Sequence, residues 1–221
     1  MARIVVIGGI ESTYCHAQTL FECGEEIVMF FTRGEHSPGW EGVDLVDESK
    51  FPFASSVPKT RVNGSINDHI EEMKALRPDV MYSLGWQQIY SSRLLSLCRV
   101  VGIHESLLPE GAGAVPIANA ILHAVGKTGC SLFWVDGGVD TGPLIGQLAG
   151  LLDPRKENST RLYEEAIQLG SELLKMYVPH INSGKAPAIP QDSSHRLAYK
   201  KINWSDWPAE LVRRAKVYPY V

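Results

Sequence analysis

The segment from Arg3 to Phe31 constrains the fold most, because it combines a buried strand, a helix and a second buried strand. Arg3 to Gly9 carries a continuous apolar run, which is typical of a strand covered on both faces. A helix is predicted from about Thr13 to Cys23, and Ile27 to Phe31 gives the next strand. Two parallel strands joined through a helix are the repeating unit of an open α/β sheet. The opening therefore predicts an α/β fold.

Later hydrophobic patterns extend this sheet. Apolar runs over residues 79–83 and 100–104 predict two more parallel strands. Residues 129–135 and 144–151 predict a hairpin joined through the loop from Asp136 to Pro143. Helices are predicted over residues 66–76, 114–125 and about 158–176. The expected architecture is a Rossmann-like, mostly parallel twisted sheet with helices on both faces and a short C-terminal extension.

The chain of 221 residues suits one domain with an appendage. We expect a main domain over residues 1–190 and an extension over 191–221 with a short helix in residues 207–218. Residues 33–63 lack a clear period, so surface excursions are expected there. Basic residues of the extension are interpreted as a solvated surface: Arg196, Lys200, Lys201, Arg213, Arg214 and Lys216.

Charge and cysteine content exclude several partners. Lysine plus arginine total 21 against 25 acidic residues, so no global positive field favours nucleic acid. The four cysteines form no Cys-x-x-Cys pair, which predicts reduced thiols and no metal site. The apolar run near the N-terminus is too short for a membrane span and lacks signal-peptide flanks. We therefore expect a cytoplasmic protein that binds neither nucleic acid nor membrane.

Two motifs carry candidate chemistry. The first runs from Ile103 through His104 to Pro109, and the second runs from Asp136 through Asp140 to Pro143. Ligands of open α/β sheets bind at the carboxyl ends of strands, where His104 is predicted to lie. A histidine and a carboxylate suit acyl transfer, which needs oxyanion stabilisation and a route for a proton. Each residue alone is more often structural, so the hypothesis depends on their joint occurrence.

The spacing His-x-Ser-Leu-Leu-Pro followed by Asp-Gly-Gly-Val-Asp-Thr-Gly-Pro resembles the formyltransferases that use 10-formyltetrahydrofolate. The resemblance implies that His104 is the catalytic histidine and Asp140 the catalytic aspartate. It also implies a formyltransferase fold, in which Ser106 to Pro109 is the turn that holds the histidine. The expected co-substrate is 10-formyltetrahydrofolate, without a metal or a dinucleotide cofactor.

The resemblance also implies binding sites. The folate pocket would be formed by two loops: Gly85, Trp86, Gln87 and Ile89, with Asp136, Gly137, Gly138 and Val139. The amine substrate is expected near Ser106 and near Gly9, Ser12 and Thr13, where a helix N-terminus could bind phosphate. An ordinary strand-to-helix turn is the slightly favoured alternative, and Glu11 argues against an adjacent anion.

One residue departs from the family pattern. Gly102 stands where the family carries an asparagine that donates a hydrogen bond to the formyl oxygen. Loss of one such donor typically lowers the rate about a hundredfold to a thousandfold. A relocated donor could be Gln87, Gln88 or Asn119; otherwise the activity is altered or lost.

The resemblance continues to Ile202-Asn203-Trp204 and Tyr218-Pro219, as in nucleotide-sugar N-formyltransferases and methionyl-tRNA formyltransferases. The favoured hypothesis is formyl transfer to a primary amine of a small molecule, namely a nucleotide-linked amino sugar. The acidic balance and the end of the sequence at Val221 disfavour methionyl-tRNA, and glycinamide ribonucleotide is a weaker candidate. The alternatives are a 10-formyltetrahydrofolate hydrolase and a catalytically silent folate- or nucleotide-binding protein. A homodimer is possible.

Overall fold

A computed structural model describes residues 1–37 and 45–216 of the chain. The strands are β1 Arg3–Ile7, β2 Glu26–Arg33, β3 Lys59–Val62, β4 Val80–Leu84, β5 Arg99–His104, β6 Glu110–Gly113, β7 Gly129–Trp134, β8 Leu144–Ala149 and β9 Leu197–Tyr199. The α-helices are α1 Glu11–Glu22, α2 Ile70–Leu76, α3 Ser92–Leu95, α4 Pro116–Leu122, α5 Ser159–Asn182 and α6 Ala209–Ala215.

Seven strands form the main sheet in the order β3-β2-β1-β4-β5-β7-β8. The pairs from β3 to β5 are parallel, whereas β7 is antiparallel to both β5 and β8. The predicted mostly parallel α/β sheet with an added hairpin is therefore confirmed. A second, two-stranded sheet pairs β6 with β9.

Alternation along the strands sends apolar side chains to two faces of the sheet. Ile4 and Val6 of β1 join a core cluster with residues of α1 and α5. Val5 and Ile7 join the opposite cluster with residues of α2 and α3. Because a strand points successive side chains to opposite faces, a continuous apolar run fits a sheet covered on both sides. The longest helix, α5, begins after Asn158, whose side chain accepts a hydrogen bond from the Arg161 amide at 3.1 Å.

The prediction for residues 33–63 was incomplete. Strand β3 lies within this range and pairs with β2 at the edge of the sheet. Its sequence, Lys-Thr-Arg-Val, has a single large apolar residue, so it lacks the run that marks the central strands. Within this range residues 38–44 lie outside the described residues, as does the motif Tyr218-Pro219.

The residues after 190 pack on the main body. Strand β9 pairs with β6, and α6 packs on α4. Ala215 of α6 is buried in a satellite cluster with Ile117 and Leu162. The boundary between residues 190 and 191 stays a prediction. Within residues 1–37 and 45–216, no helix is both long and apolar enough to cross a membrane.

A buried histidine lies between two helices that cover the same face. His16 of α1 is 1% exposed, and its Nε2 lies 3.3 Å from the carbonyl oxygen of Ile167 in α5. A Cβ atom placed on Gly170 would lie 2.5 Å from this nitrogen, so the absence of a side chain there admits the ring. Burial is the main cause that lowers the pKa of His16 to about 4.

We expect His16 to make the free energy of unfolding depend on pH. The unfolded chain binds a proton at this residue below about pH 6.5, whereas the folded chain binds it only near pH 4. Stability from the neutral ring is therefore present above pH 6.5 and lost as the pH falls toward 4, by about 3 kcal/mol. Urea unfolding from pH 7 to 4 should show a smaller decline in His16→Gln than in the wild type. His180→Gln, at an exposed position on α5, should keep the wild-type slope, and equal slopes in all three proteins would contradict the prediction.

Candidate active site

The strand register brings the predicted loops to one edge of the sheet. In the parallel pair of β4 and β5, Leu84 is aligned with Ile103, so Gly85 follows directly beside His104. In the antiparallel pair of β5 and β7, His104 lies opposite Ser131. The carboxyl ends of β4 and β5 therefore form one corner of the candidate site, as expected for an open α/β sheet.

His104 is held through one ring nitrogen, while the other faces Asp140. The side chain is buried, and its Nε2 lies 2.8 Å from the carbonyl oxygen of Gly111 in β6. A carbonyl can only accept, so Nε2 is the nitrogen that carries a proton and donates. The other nitrogen, Nδ1, lies 3.8 Å from Oδ2 of Asp140. The imidazole is thus oriented with Nδ1 toward the carboxylate.

Asp140 is fixed through its side chain and its main chain. Its Oδ2 accepts a hydrogen bond from the amide of Gly113 at 2.8 Å. Its φ of +51° lies in the left-handed region, which aspartate tolerates better than most residues. The carbonyl oxygen of Asp140 accepts a hydrogen bond from the side chain of Gln191 at 3.0 Å.

The separation between the two groups defines what they can do. A distance of 3.8 Å between Nδ1 and Oδ2 is too long for a direct hydrogen bond. An atom of a bound molecule could hydrogen-bond to both groups at once, since such bonds are about 2.8 Å long. The arrangement therefore offers a histidine nitrogen and a carboxylate to one reacting centre, which suits proton transfer during acyl transfer.

The turn after His104 is held by a hydrogen-bond network. The Ser131 hydroxyl donates to the carbonyl oxygen of Ser106 at 2.5 Å and accepts from the Leu108 amide at 3.0 Å. The Gln147 side chain donates to the carbonyl oxygen of Leu108 at 2.8 Å. Ser106 itself is buried, and its hydroxyl donates to the carbonyl oxygen of Glu110. The structure thus engages Ser106 in the turn, while its expected contact with substrate stays a prediction.

An aromatic ring fills the space beside Gly102. Phe133 of β7 lies directly opposite Gly102, so the Phe133 ring lies on the face of the sheet that carries His104. A Cβ atom on Gly102 would lie 2.7 Å from the Phe133 ring and 3.0 Å from a methyl group of Val135. Phe133 is buried in a small apolar cluster with Leu108. The space beside Gly102 is therefore apolar, while the replacement of a polar donor at this position stays a prediction.

The three proposed replacement donors differ in their engagement. Gln88 accepts from the Ile66 amide and donates to the carbonyl oxygen of Gly64, so both ends of its amide are used. Asn119 is buried and donates to the carbonyl oxygen of Ala114 at 2.8 Å. Gln87 is exposed to solvent. A relocated donor stays a prediction. Within the part of the chain that the structure describes, the Gln87 side chain makes no such hydrogen bond, so it could serve as a donor without breaking one.

The loops predicted to bind folate carry exposed apolar side chains. Ile89 is 60% exposed and Val139 is 48% exposed, both high values for large aliphatic residues. Trp86 is partly buried and packs against the core cluster on the α2 and α3 side. Gly85 has a φ of +68°, and a Cβ there would lie 2.6 Å from Ile10. Ligand pockets are lined mostly by apolar side chains, so these loops suit a ligand, and folate binding by them stays a prediction.

The loop from Asp136 to Pro143 stabilises its own turn. Oδ1 of Asp136 accepts from the amide of Gly138 at 2.9 Å and from the hydroxyl of Thr141 at 2.6 Å. Gly137 and Gly138 are exposed. Their role in folate binding stays a prediction, but this geometry makes the Asp136 side chain a turn-forming group.

The turn after β1 is buried, and several of its polar groups already take part in hydrogen bonds. The hydroxyl of Thr13 donates to the carbonyl oxygen of Leu84 at 2.5 Å, and the amide of Ser12 donates to the hydroxyl of Tyr163. Nε of Arg33 donates to the carbonyl oxygen of Gly9 at 3.0 Å. These bonds fit the ordinary strand-to-helix turn that the sequence slightly favoured, and substrate binding by Gly9, Ser12 and Thr13 stays a prediction.

Two other titratable groups, Glu105 and Cys130, lie close to His104. Burial raises the pKa of Glu105, and the positive charge of a protonated His104 opposes that shift. Burial also raises the pKa of the Cys130 thiol well above its usual value, so this cysteine is a poor nucleophile. Among the described residues, no group of three histidine, cysteine, aspartate or glutamate side chains could hold a metal ion.

The contacts of two arginines in the extension were not predicted from the sequence. Arg196 was interpreted as part of a solvated surface, but its guanidinium donates to the carbonyl oxygen of Val139 at 2.6 Å. Arg214 of the same set donates to the carbonyl oxygens of Pro154 and Glu157. The interpretation was wrong for these two residues, because their partners are backbone groups distant in sequence. No local pattern marks such contacts.

These features define an α/β protein whose histidine and aspartate meet at the carboxyl edge of a mostly parallel sheet. The family model described as formyl transferase matches residues 3–178. The chain therefore belongs to the folate-dependent formyltransferase family, whose members transfer one-carbon groups, as its motifs predicted.

Two relatives similar to this chain are named methionyl-tRNA formyltransferases. A methionyl-tRNA formyltransferase from Halorhodospira halophila is 33% identical over 225 residues, which cover 96% of this chain and 71% of that protein. One from Myxococcus xanthus is 38% identical over 226 residues, which cover 98% of this chain and 72% of that protein. Both similarities extend beyond the 3–178 match, into the residues that form β9 and α6.

Solved structures show the same fold. An N-formyltransferase from Helicobacter canadensis, in complex with folinic acid and dTDP-3-aminofucose, has a TM-score of 0.71 at 17% identity and covers 99% of this chain and 81% of that one. Glycinamide ribonucleotide transformylase 1 from Symbiobacterium toebii has a TM-score of 0.69 at 19% identity and covers 87% of this chain and 95% of that one. The shared fold therefore spans enzymes with different acceptors.

We expect Gly102→Asn to destabilise the protein, because its Cβ would overlap the Phe133 ring. Overpacking of this kind typically costs about 1–3 kcal/mol. In a Phe133→Ala background the same substitution should cost at least about 1 kcal/mol less, since the obstructing ring is gone. Urea unfolding of the four proteins of this cycle measures the coupling. Gly137→Asn is the control, because a Cβ at that exposed glycine meets no atom within 4 Å. Equal costs of Gly102→Asn in both backgrounds would show that the ring does not occupy this space.

Proposed function

We propose that this protein transfers a formyl group from 10-formyltetrahydrofolate to a primary amine of a small molecule, namely a nucleotide-linked amino sugar. The observation that carries the proposal is the facing pair of His104 Nδ1 and Asp140 Oδ2, 3.8 Å apart at the carboxyl edge of the sheet. Membership of the formyltransferase family supports the reaction type, and the fold shared with amino-sugar enzymes supports the acceptor class.

His104 and Asp140 would have different roles in this transfer. Transfer forms a bond from the formyl carbon to the acceptor amine and breaks its bond to the nitrogen of 10-formyltetrahydrofolate. The tetrahydrofolate nitrogen that leaves takes up one proton, which balances the proton that the amine loses. Asp140 is placed to accept the proton that the amine loses, directly or through water. His104 presents Nδ1 on the same side, and in its protonated form it can stabilise negative charge on the formyl oxygen. The bond from Nε2 to the carbonyl oxygen of Gly111 keeps the ring in this orientation.

The described residues fit a folate. Ile89 and Val139 expose aliphatic surface on the two loops that we propose bind the pterin ring. Gly85 lies beside His104 through the register of β4 and β5, so this loop borders the catalytic pair. Apolar side chains suit the faces of the ring, and main-chain groups suit its polar edge.

The apolar neighbourhood of Gly102 predicts slow turnover. Loss of one oxyanion donor typically costs about a hundredfold to a thousandfold in rate. Phe133 offers no hydrogen bond in its place. The enzyme would therefore depend on His104, or on a donor such as Gln87, for stabilisation of the oxyanion.

Methionyl-tRNA is the second candidate acceptor. The Myxococcus relative of that name is 38% identical, a closer similarity than the 17% of the Helicobacter structure. The formal net charge of −4 argues for the smaller acceptor, because tRNA binding depends on neutralising phosphates. The amine chemistry at His104 and Asp140 is the same for both acceptors.

A comparison of acceptors tests the function. Purified protein with 10-formyltetrahydrofolate is assayed for tetrahydrofolate formation with dTDP-3-aminofucose, methionyl-tRNA, glycinamide ribonucleotide or no amine. Turnover that requires the amino sugar supports the proposal. Turnover that requires methionyl-tRNA or the ribonucleotide reassigns the acceptor, formate release without amine indicates a hydrolase, and folate binding without turnover indicates a silent protein.

We expect His104→Ala and Asp140→Asn to lower kcat by about 10²- to 10⁴-fold, the usual loss when a general acid or base is removed. Folate affinity, measured by fluorescence titration, should change little, because neither residue is in the proposed ring pocket. Asp153→Asn is the matched control: it removes a carboxylate that pairs with Arg155, and it should leave turnover unchanged. Retained turnover in either site variant would remove that residue from the mechanism.

A further inference from the structure

The first residues of the extension form hydrogen bonds to the loop that carries Asp140. The Gln191 side chain donates to the carbonyl oxygens of Asp140 at 3.0 Å and Gly142 at 2.7 Å. The Arg196 guanidinium donates to the carbonyl oxygen of Val139 at 2.6 Å and lies 3.4 Å from that of Asp140. Three carbonyl oxygens of this loop thus accept hydrogen bonds from two side chains that lie about fifty residues later in the chain.

The loop needs this support. Asp140 has a φ of +51°, a left-handed conformation that is less favourable than the right-handed one, although aspartate tolerates it better than most residues. Gly137 and Gly138 precede it on an exposed stretch, and glycine is the most mobile residue in the absence of contacts. Strained local backbone persists only where surrounding contacts hold it. Gln191 and Arg196 supply such contacts on the main chain of Asp140 and its neighbours.

The same extension also holds the opposite wall of the site. Strand β9 pairs with β6, with Gly113 aligned to Tyr199. Gly113 donates its amide to Asp140, and Gly111 accepts from His104. A Cβ atom on Gly113 would lie 2.3 Å from the carbonyl oxygen of Tyr199, so the two strands approach as closely as a glycine allows. Both partners of the catalytic pair are therefore supported from residues 191–199.

We propose that Gln191 and Arg196 are positioning residues that hold Asp140 opposite His104, which makes the extension part of the active site. The proposal rests on the proposed function in that His104 and Asp140 perform formyl transfer. Neither side chain reaches the Asp140 carboxylate, since the bonds that each makes end on carbonyl oxygens. They act on catalysis through the geometry of the loop.

The first test separates kcat from KM. Gln191→Leu and Arg196→Met should each lower kcat at least tenfold with the KM for 10-formyltetrahydrofolate within about twofold, because small displacements of a catalytic group are costly. Arg196→Lys, which keeps one cationic donor, should recover part of the loss. Arg213→Met, which removes an exposed arginine paired with Glu210, is the matched control and should leave kcat unchanged.

A double-mutant cycle asks whether the effect passes through Asp140. In an Asp140→Asn background, Arg196→Met should lower the remaining activity by less than about twofold, because there is no carboxylate left to position. An undiminished tenfold loss in that background would overturn the proposal, as would a wild-type kcat in both Gln191→Leu and Arg196→Met.

A measurement without turnover keeps the proposal independent of the assigned reaction. The Gly113 amide is bonded to Asp140 Oδ2, whereas the Ala114 amide is bonded to the carbonyl oxygen of Tyr199 at 3.2 Å. In Arg196→Met, hydrogen exchange followed by NMR should be at least tenfold faster at Gly113 and unchanged at Ala114. Unchanged exchange at Gly113, or equal acceleration at both amides, would overturn the proposal, the latter because β9 as a whole would have detached. If the wild-type protein transfers no formyl group, the proposed function fails, while this exchange pattern still decides the positioning role.

Discussion

The pairing of β5 with its two neighbours is the constraint on which the site depends. Parallel pairing with β4 sets Gly85 beside His104, and antiparallel pairing with β7 sets Ser131 and Phe133 on the face that carries His104 and Gly102. A shift of one residue in either register would turn these side chains to the opposite face. Burial of both faces of the sheet specifies the register, because each strand has apolar side chains on two sides. The chemistry of the site is thus a consequence of core packing.

The pair of Gly102 and Phe133 gives this site its individual character. The Phe133 ring lies against Gly102, so this side of the candidate site presents apolar surface. A phenyl ring offers no hydrogen-bond donor to an oxyanion. Charges interact more strongly in apolar surroundings than in water, which would strengthen the roles proposed for His104 and Asp140. Under the proposed function, the site would therefore rely on fewer donors.

Much of the fold could be predicted from the sequence, since the central strands and the long helix carry strong periodic patterns. The α/β class and the family follow from the run at β1 and from the motifs around His104 and Asp140. Strand β3 escaped prediction because an edge strand buries fewer side chains, and Lys59-Thr60-Arg61-Val62 carries no apolar run. The ring beside Gly102 could not be predicted either, because the alignment of Gly102 with Phe133 depends on strand order rather than on any local signal.

The contacts of Gln191 and Arg196 could not be predicted from the local sequence. Charged and amide side chains in a polar segment usually face solvent, which made the solvated interpretation reasonable for Arg196. Their partners lie 51 and 56 residues earlier in the chain and are backbone carbonyls, which any sequence contains. What distinguishes these carbonyls is that they belong to a left-handed aspartate and its neighbours. The main chain of Asp140 is bonded to residues 191 and 196, and β6, whose glycines bond to the side chains of His104 and Asp140, pairs with β9. Contacts that place the extension on the main body therefore include those that fix the backbone of Asp140.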